Sequence, residues 1–194
     1  MCAYEIKDGV AIIPEGTTKI DNKAFWDCVE LVSVIIPDGV TEIGEYAFYG
    51  CSNLVKITLP MGITTIGKRA FYKCAALADI VIPESVTMIG DSAFYGCTGL
   101  VAITIPANVT TVCRYSFYGC TALAGVHVPA TVTEIDEYAF CGCASLVDIT
   151  IPEGVTAIAS HAFCRCTSLA GITIPKGVKE IALEAFYGCK GLVD

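Results

Sequence analysis

The chain has 194 residues, 54% of them apolar and only 16% charged, with a net charge of −8. That length suits one ordinary domain with a sizeable core. The acidic balance argues against a general affinity for nucleic acid and disfavours anionic membrane surfaces.

Residues 1–10 contain Tyr4-Glu-Ile-Lys-Asp-Gly-Val10, with Asp8-Gly9 as the dipeptide of a two-residue hairpin turn. The segment predicts an N-terminal capping hairpin over the first structural unit. Met1 to Gly9 contains no apolar signal-peptide core. The expectation is a cytosolic protein, or one whose leader has been removed.

From Ala11 to Asp194 the sequence repeats every 23 residues, in eight units without insertion or deletion. Prolines recur in step from Pro14 to Pro175, and cysteines from Cys28 to Cys189. Within a unit such as Leu54-x-x-Ile57-x-Leu59, alternation marks a short strand with Ile57 and Leu59 on one side. Pro60 ends the strand. Proline followed two residues later by glycine predicts a type I turn with Pro second and Gly fourth. Ser85, Asn108 and Thr131 replace that glycine in three units, so the position does not require positive φ. Val40-Thr-Glu-Ile43 reads as a second extended piece. Ala70-Phe71-x-x-Cys74 places Phe and Cys three apart, the spacing of one face of a helical turn. Leu77 closes the unit. The segment Ser92 to Cys113 carries no charge and is long enough for a membrane helix. Its glycines, Pro106, Asn108 and unbroken repeat phase exclude that reading.

A single unit cannot bury its apolar side, and stacking in register builds continuous ladders of Ile, Phe, Cys and Leu. At a strand spacing of about 4.8 Å, eight units make a body roughly 40 Å long. The motif Ile-x-Ile-Pro-x-x-Val-x-x-Ile-x-x-x-Ala-Phe-x-x-Cys-x-x-Leu resembles the BspA-like, treponemal-type leucine-rich repeats over residues 11–194. The predicted fold is an α/β repeat solenoid, a right-handed leucine-rich-repeat stack of short strands and short helical turns. The resemblance implies adhesion to host proteins or other cells, and it carries no catalytic residue set.

Twelve cysteines invite a disulfide framework, but eight of them form the Cys28-to-Cys189 ladder. Stacked Cβ vectors run parallel, which suits disulfides poorly, so the ladder is expected to hold buried free thiols. Cys2, Cys113, Cys141 and Cys164 lie off the ladder. Cys141 and Cys164 stand in the column occupied elsewhere by Trp26, Tyr49, Tyr72, Tyr95, Tyr118 and Tyr187, and His161 shares a unit with Cys164. They read either as a metal or redox site or as drifted surface positions. No fourth ligand is evident, so no metal is expected.

Two columns are candidate contact surfaces. The outward strand position runs Ile12, Ile35, Thr58, Val81, Thr104, His127, Thr150, Thr173, nearly uncharged and mostly β-branched. It fits protein contact, or plain β propensity. The aromatic column follows the buried Phe by one residue, and Tyr72, Tyr95 and Tyr118 combine area with hydroxyls. The favoured reading has its rings stacked on one another. A threonine column from Thr18 to Thr156 suits hydrogen bonds between units. Lys56, Lys68, Arg69 and Lys73 form a basic cluster read as a solvated face. His127 and His161 are far apart, and no Ser-His-Asp set or phosphate-binding glycine loop rises above background.

The expectation is a non-enzymatic protein-binding or adhesion module without cofactor, part of a bacterial or protist surface protein. Its partners would be proteins, on a host or neighbouring cell. The alternative is a cytoplasmic interaction scaffold. Ile172, Ile174, Ile181, Phe186, Cys189 and Leu192 are expected at an open C-terminal coil. That predicts either a fragment of a longer array or self-association through that coil.

Overall fold

A computed structural model describes residues 2–192. Each 23-residue unit winds one coil of a solenoid, coil 1 beginning at Ala11 and coil 8 at Ile172. Equivalent residues stack, and where neighbouring coils pair their short strands they do so in parallel.

The first sheet starts with Ile6–Lys7, antiparallel to Val10–Ile12 through the left-handed pair Asp8 and Gly9. Ser33–Ile35 and Lys56–Ile57 continue it in parallel, with Val10 opposite Ser33 and Ser33 opposite Lys56. Further along, Ala102–Thr104 pairs with Gly125–His127, and Asp148–Thr150 with Gly171–Thr173. Residues 80–83 of coil 4 form no strand, so the first sheet is interrupted there, and Gly125–His127 does not pair with Asp148–Thr150. Nothing in the local sequence explains this, since Ile80-Val81-Ile82 is as β-prone as its neighbours.

The second sheet joins Lys19–Ile20, Glu42–Ile43, Thr65–Ile66 and Met88–Ile89 in parallel. Here Gly44, Gly67 and Gly90 decide how closely the coils approach. A Cβ on any of them would lie 2.6–2.7 Å from atoms of the preceding coil. In coil 5 the position is Cys113, and Met88–Ile89 does not pair with Thr111–Val112. A side chain there opposes pairing without forbidding it, because Asp136 and Ala182 occupy the same column beside paired strands.

The Phe-x-x-Cys segment is not helical, and no helix occurs among the described residues. The expected α/β class and its helical turns give way to strands joined by tight turns. Around Phe25, Ala24, Trp26 and Cys28 donate to carbonyls three residues back, whereas Lys23, Phe25 and Asp27 donate to coil 2. The second set of N–H groups is committed to the next coil, so no run of i to i−4 bonds can form. Lys23 and Asp27 accordingly take left-handed φ, as do Tyr46 and Gly50 beside Phe48 and Ser92 and Gly96 beside Phe94. A spacing of three fits both a helical turn and this pair of β-turns. The glycines one residue before the ladder cysteine were the signal for left-handed backbone.

The proline turn also differs in register. Val40 and Ile63 donate to the carbonyls of Pro37 and Pro60, so Pro stands first and Gly third. Gly16 alone among those turn positions has positive φ.

The core is one continuous stack. Rings Phe25 to Phe163 are at most 1% exposed, and successive pairs such as Phe48 and Phe71 lie 5.2 Å apart and nearly parallel. Each ladder thiol from Cys51 onward donates to a phenylalanine carbonyl of the preceding coil, as Cys97 does to Phe71 at 3.0 Å. Cys28 departs from the free-thiol expectation, being joined to Cys2 by a disulfide with Cα atoms 6.1 Å apart. Cys2 reaches it from the N-terminal segment rather than from a stacked coil, so the objection of parallel Cβ vectors does not apply. Tyr4 of the same segment stacks on Phe25 at 5.4 Å. No helix of the described residues is long and apolar enough to cross a membrane.

Candidate binding surfaces

The strand face presents Thr58, Val81, Thr104, His127 and Thr150 outward, all exposed. Alternation dictates this, because Ile57 and Leu59, on either side of Thr58, are buried. Val81 is 75% exposed and Ile12 67%, so the column is apolar as well as open. Thr58 and Val81 line one groove of about 630 Å³, together with Val55, Met61, Lys56 and Asp79. Val81 and Thr104 line a second, of about 310 Å³. Both grooves flank the strandless segment of coil 4. The pattern of residues could not show them, because the repeat gives coil 4 the same strand residues as its neighbours. His127 lies opposite Thr104, and Thr150 opposite Thr173, on the paired strands beyond.

Tyr72, Tyr95 and Tyr118 form a separate half-buried strip. Their rings stack at 4.5 and 4.6 Å, and Trp26 and Tyr49 extend the stack towards coil 1. Ring faces are therefore covered by neighbouring rings, and the strip offers edges and hydroxyls. Burial pushes the Tyr95 hydroxyl up to about 12, with the charges of Tyr72 and Tyr118 adding to it, so it stays a protonated donor at neutral pH. A second column, missed in the sequence, joins the strip: Tyr46 near coil 1, then Tyr115, Tyr138 and His161 at the far end. These residues stand three before the first column, across the buried Phe turn. The basic cluster is partly drawn in: the Arg69 guanidinium lies 5.6 Å from the Tyr46 ring and 5.8 Å from the Tyr72 ring, and Lys73 sits over Tyr72. These are cation–π distances.

The threonine column is structural. The Thr41, Thr64 and Thr87 hydroxyls donate to the threonine carbonyl of the preceding coil at 3.2–3.3 Å. Cys141 and Cys164 lie side by side, buried, in a small cavity of about 190 Å³ with His161 and Arg165. His161 is held by Ser160 at 2.7 Å and Glu184 at 2.9 Å.

Stacked parallel coils with in-register apolar ladders and an exposed strand face define a leucine-rich-repeat solenoid. Residues 10–124 and 64–193 match the model of the "BspA type Leucine rich repeat region (6 copies)", and the chain belongs to that family. No curated protein matches its sequence. Among solved structures, a leucine-rich repeat protein from Bacteroides ovatus is similar at 32% identity and a TM-score of 0.83, over 89% of this chain and 47% of its own. A T. pallidum leucine-rich repeat protein is 33% identical with a TM-score of 0.67, over 96% of this chain and 78% of its own. A leucine-rich cell surface protein from Faecalibacterium prausnitzii is 33% identical with a TM-score of 0.64, over 96% of this chain and 58% of its own. The chain thus spans about half the length of the Bacteroides ovatus protein.

Proposed function

We propose that the chain is a non-enzymatic protein-binding module that mediates adhesion at a bacterial or protist cell surface. Its docking site is the strand face around Thr58, Val81, Thr104, His127 and Thr150, with the tyrosine strip of Tyr72, Tyr95 and Tyr118 as a second contact. The observation that carries this is the open, nearly uncharged column centred on Val81, with a groove on either side of it. Exposed apolar strips framed by polar side chains are the usual mark of protein contact. The similar Faecalibacterium prausnitzii protein, described as a cell surface protein, supports the location.

The test is binding of the labelled chain to intact host cells, scored for wild type and for the Val81→Arg/Thr104→Arg double variant. Loss of a central contact should weaken binding about tenfold or more, with circular dichroism unchanged. Binding that survives this change and is instead abolished by Asn108→Arg on the loop side would displace the site.

A second reading, a cytoplasmic scaffold, draws on the ten cysteines that stand unpaired, since oxidising compartments favour disulfides. Labelling of intact source cells with a membrane-impermeant amine reagent separates the two. Labelled protein supports the surface, and protection supports the cytoplasm.

We propose further that coil 8 docks on another coil, here of a second copy. Ile181 is 54% exposed and Leu183 73%, while Phe186, Cys189 and Leu192 are only partly buried. Light scattering should show mass rising with concentration, and Leu192→Glu should return the chain to a monomer. An unchanged monomer in both removes the proposal.

A further inference from the structure

The tyrosine column is interrupted at coils 6 and 7, where Cys141 and Cys164 replace the rings. Tyr118 and Tyr187 stand on either side of the gap, and the missing rings leave the cavity of about 190 Å³. Into it open two thiols that are themselves only 4% and 5% exposed. The Arg165 side chain lines the same recess. The same cavity therefore brings together two sulfur donors and one cation.

We propose that Cys141 and Cys164 form a two-thiolate site for a soft, two-coordinate cation, Cu(I) being the natural class. The two thiols bind one Cu(I), forming two copper–sulfur bonds and releasing two protons, with no change of oxidation state. The complex carries one net negative charge, and the Arg165 guanidinium in the same lining offsets it. Soft thiolate ligands select Cu(I) over harder cations. Zinc does not fit, because even an open zinc site takes three protein ligands and the nearest imidazole is committed: both His161 nitrogens are engaged, by Ser160 and Glu184. A direct disulfide is disfavoured by register. The two residues are equivalent positions of adjacent stacked coils, so their Cβ vectors run parallel, and a bridging ion tolerates that arrangement where a sulfur–sulfur bond does not. The ladder thiols do not line this cavity. Cys143 and Cys166 of the same coils are fully buried and donate to phenylalanine carbonyls.

The experiment is anaerobic titration of the whole chain with Cu(I) against a chromophoric Cu(I) chelator. Wild type is expected to hold one equivalent that the chelator removes last. Cys141→Tyr/Cys164→Tyr restores the residue of the column in other coils, should fold, and should lose that equivalent. Arg165→Gln should keep the stoichiometry and weaken affinity about tenfold, the size of an outer-shell effect. Cys113→Ser should change nothing. Retention of the tight equivalent in the double tyrosine variant overturns the proposal. So does its absence from wild type, or a wild type in which alkylation and mass analysis show Cys141 joined to Cys164.

Discussion

Phe94 shows how much rests on single columns. Its ring is wholly buried between Phe71 at 5.3 Å and Phe117 at 5.5 Å. Its amide also donates to Ser116 of the next coil. Truncation removes two ring contacts and opens a void that the rigid backbone ladder cannot collapse. Phe94→Ala should therefore cost about 3–5 kcal/mol, read by urea denaturation. A near-neutral result would mean that the phenylalanine stack does not carry the fold. The ladder cysteines make a related point. Their burial follows from phase alone, but their sulfur-to-carbonyl bonds, such as Cys74 to Phe48 at 3.1 Å, explain why the position holds a weak donor rather than alanine.

Between coils, the second sheet depends on residues that lack side chains. Gly90 sits with its missing Cβ 2.6 Å from the Lys68 amide, and its own N–H donates to Ile66 at 2.9 Å. A methyl group there must push coils 3 and 4 apart. Gly90→Ala should destabilise by about 1–3 kcal/mol, as overpacking does. Its amide should then exchange faster than in wild type, while that of Gly44 is unaffected. A neutral substitution would show that the second strands can part locally, as Met88–Ile89 and Thr111–Val112 do between coils 4 and 5. The Phe-x-x-Cys turns follow a different rule, with left-handed residues on both sides of each Phe. Tyr46, Arg69 and Tyr115 adopt this φ despite their side chains, because the ladder to the next coil holds their backbone in place.

The assembled chain is held together by phase, with one covalent link at its N-terminal end. Of twelve cysteines, ten are free and Cys2 is bonded to Cys28. Denatured protein without reductant should expose ten reactive thiols, and reductant should reveal the other two. A count well below ten that reductant restores would show ladder thiols joined instead. The same architecture separates the two candidate surfaces. The strand face and the tyrosine strip belong to different sides of the coil, so a partner that used both would have to wrap around an edge.

What the residues determined by themselves was the phase of the repeat: the period, the inward and outward alternation, the buried Phe and Cys columns, and the outward placement of Val81 and Thr104. Periodicity carries this because each coil repeats the same contacts with its neighbours. Tertiary structure decided what repetition does not encode. Phe-x-x-Cys became paired turns rather than helix because its amides are shared with the next coil. Cys28 bonded Cys2 because a non-repeating segment crosses the end of the ladder. The grooves beside Val81 and the cavity at Cys141 and Cys164 arise where one coil departs from its neighbours, and such departures have consequences only once the coils are stacked.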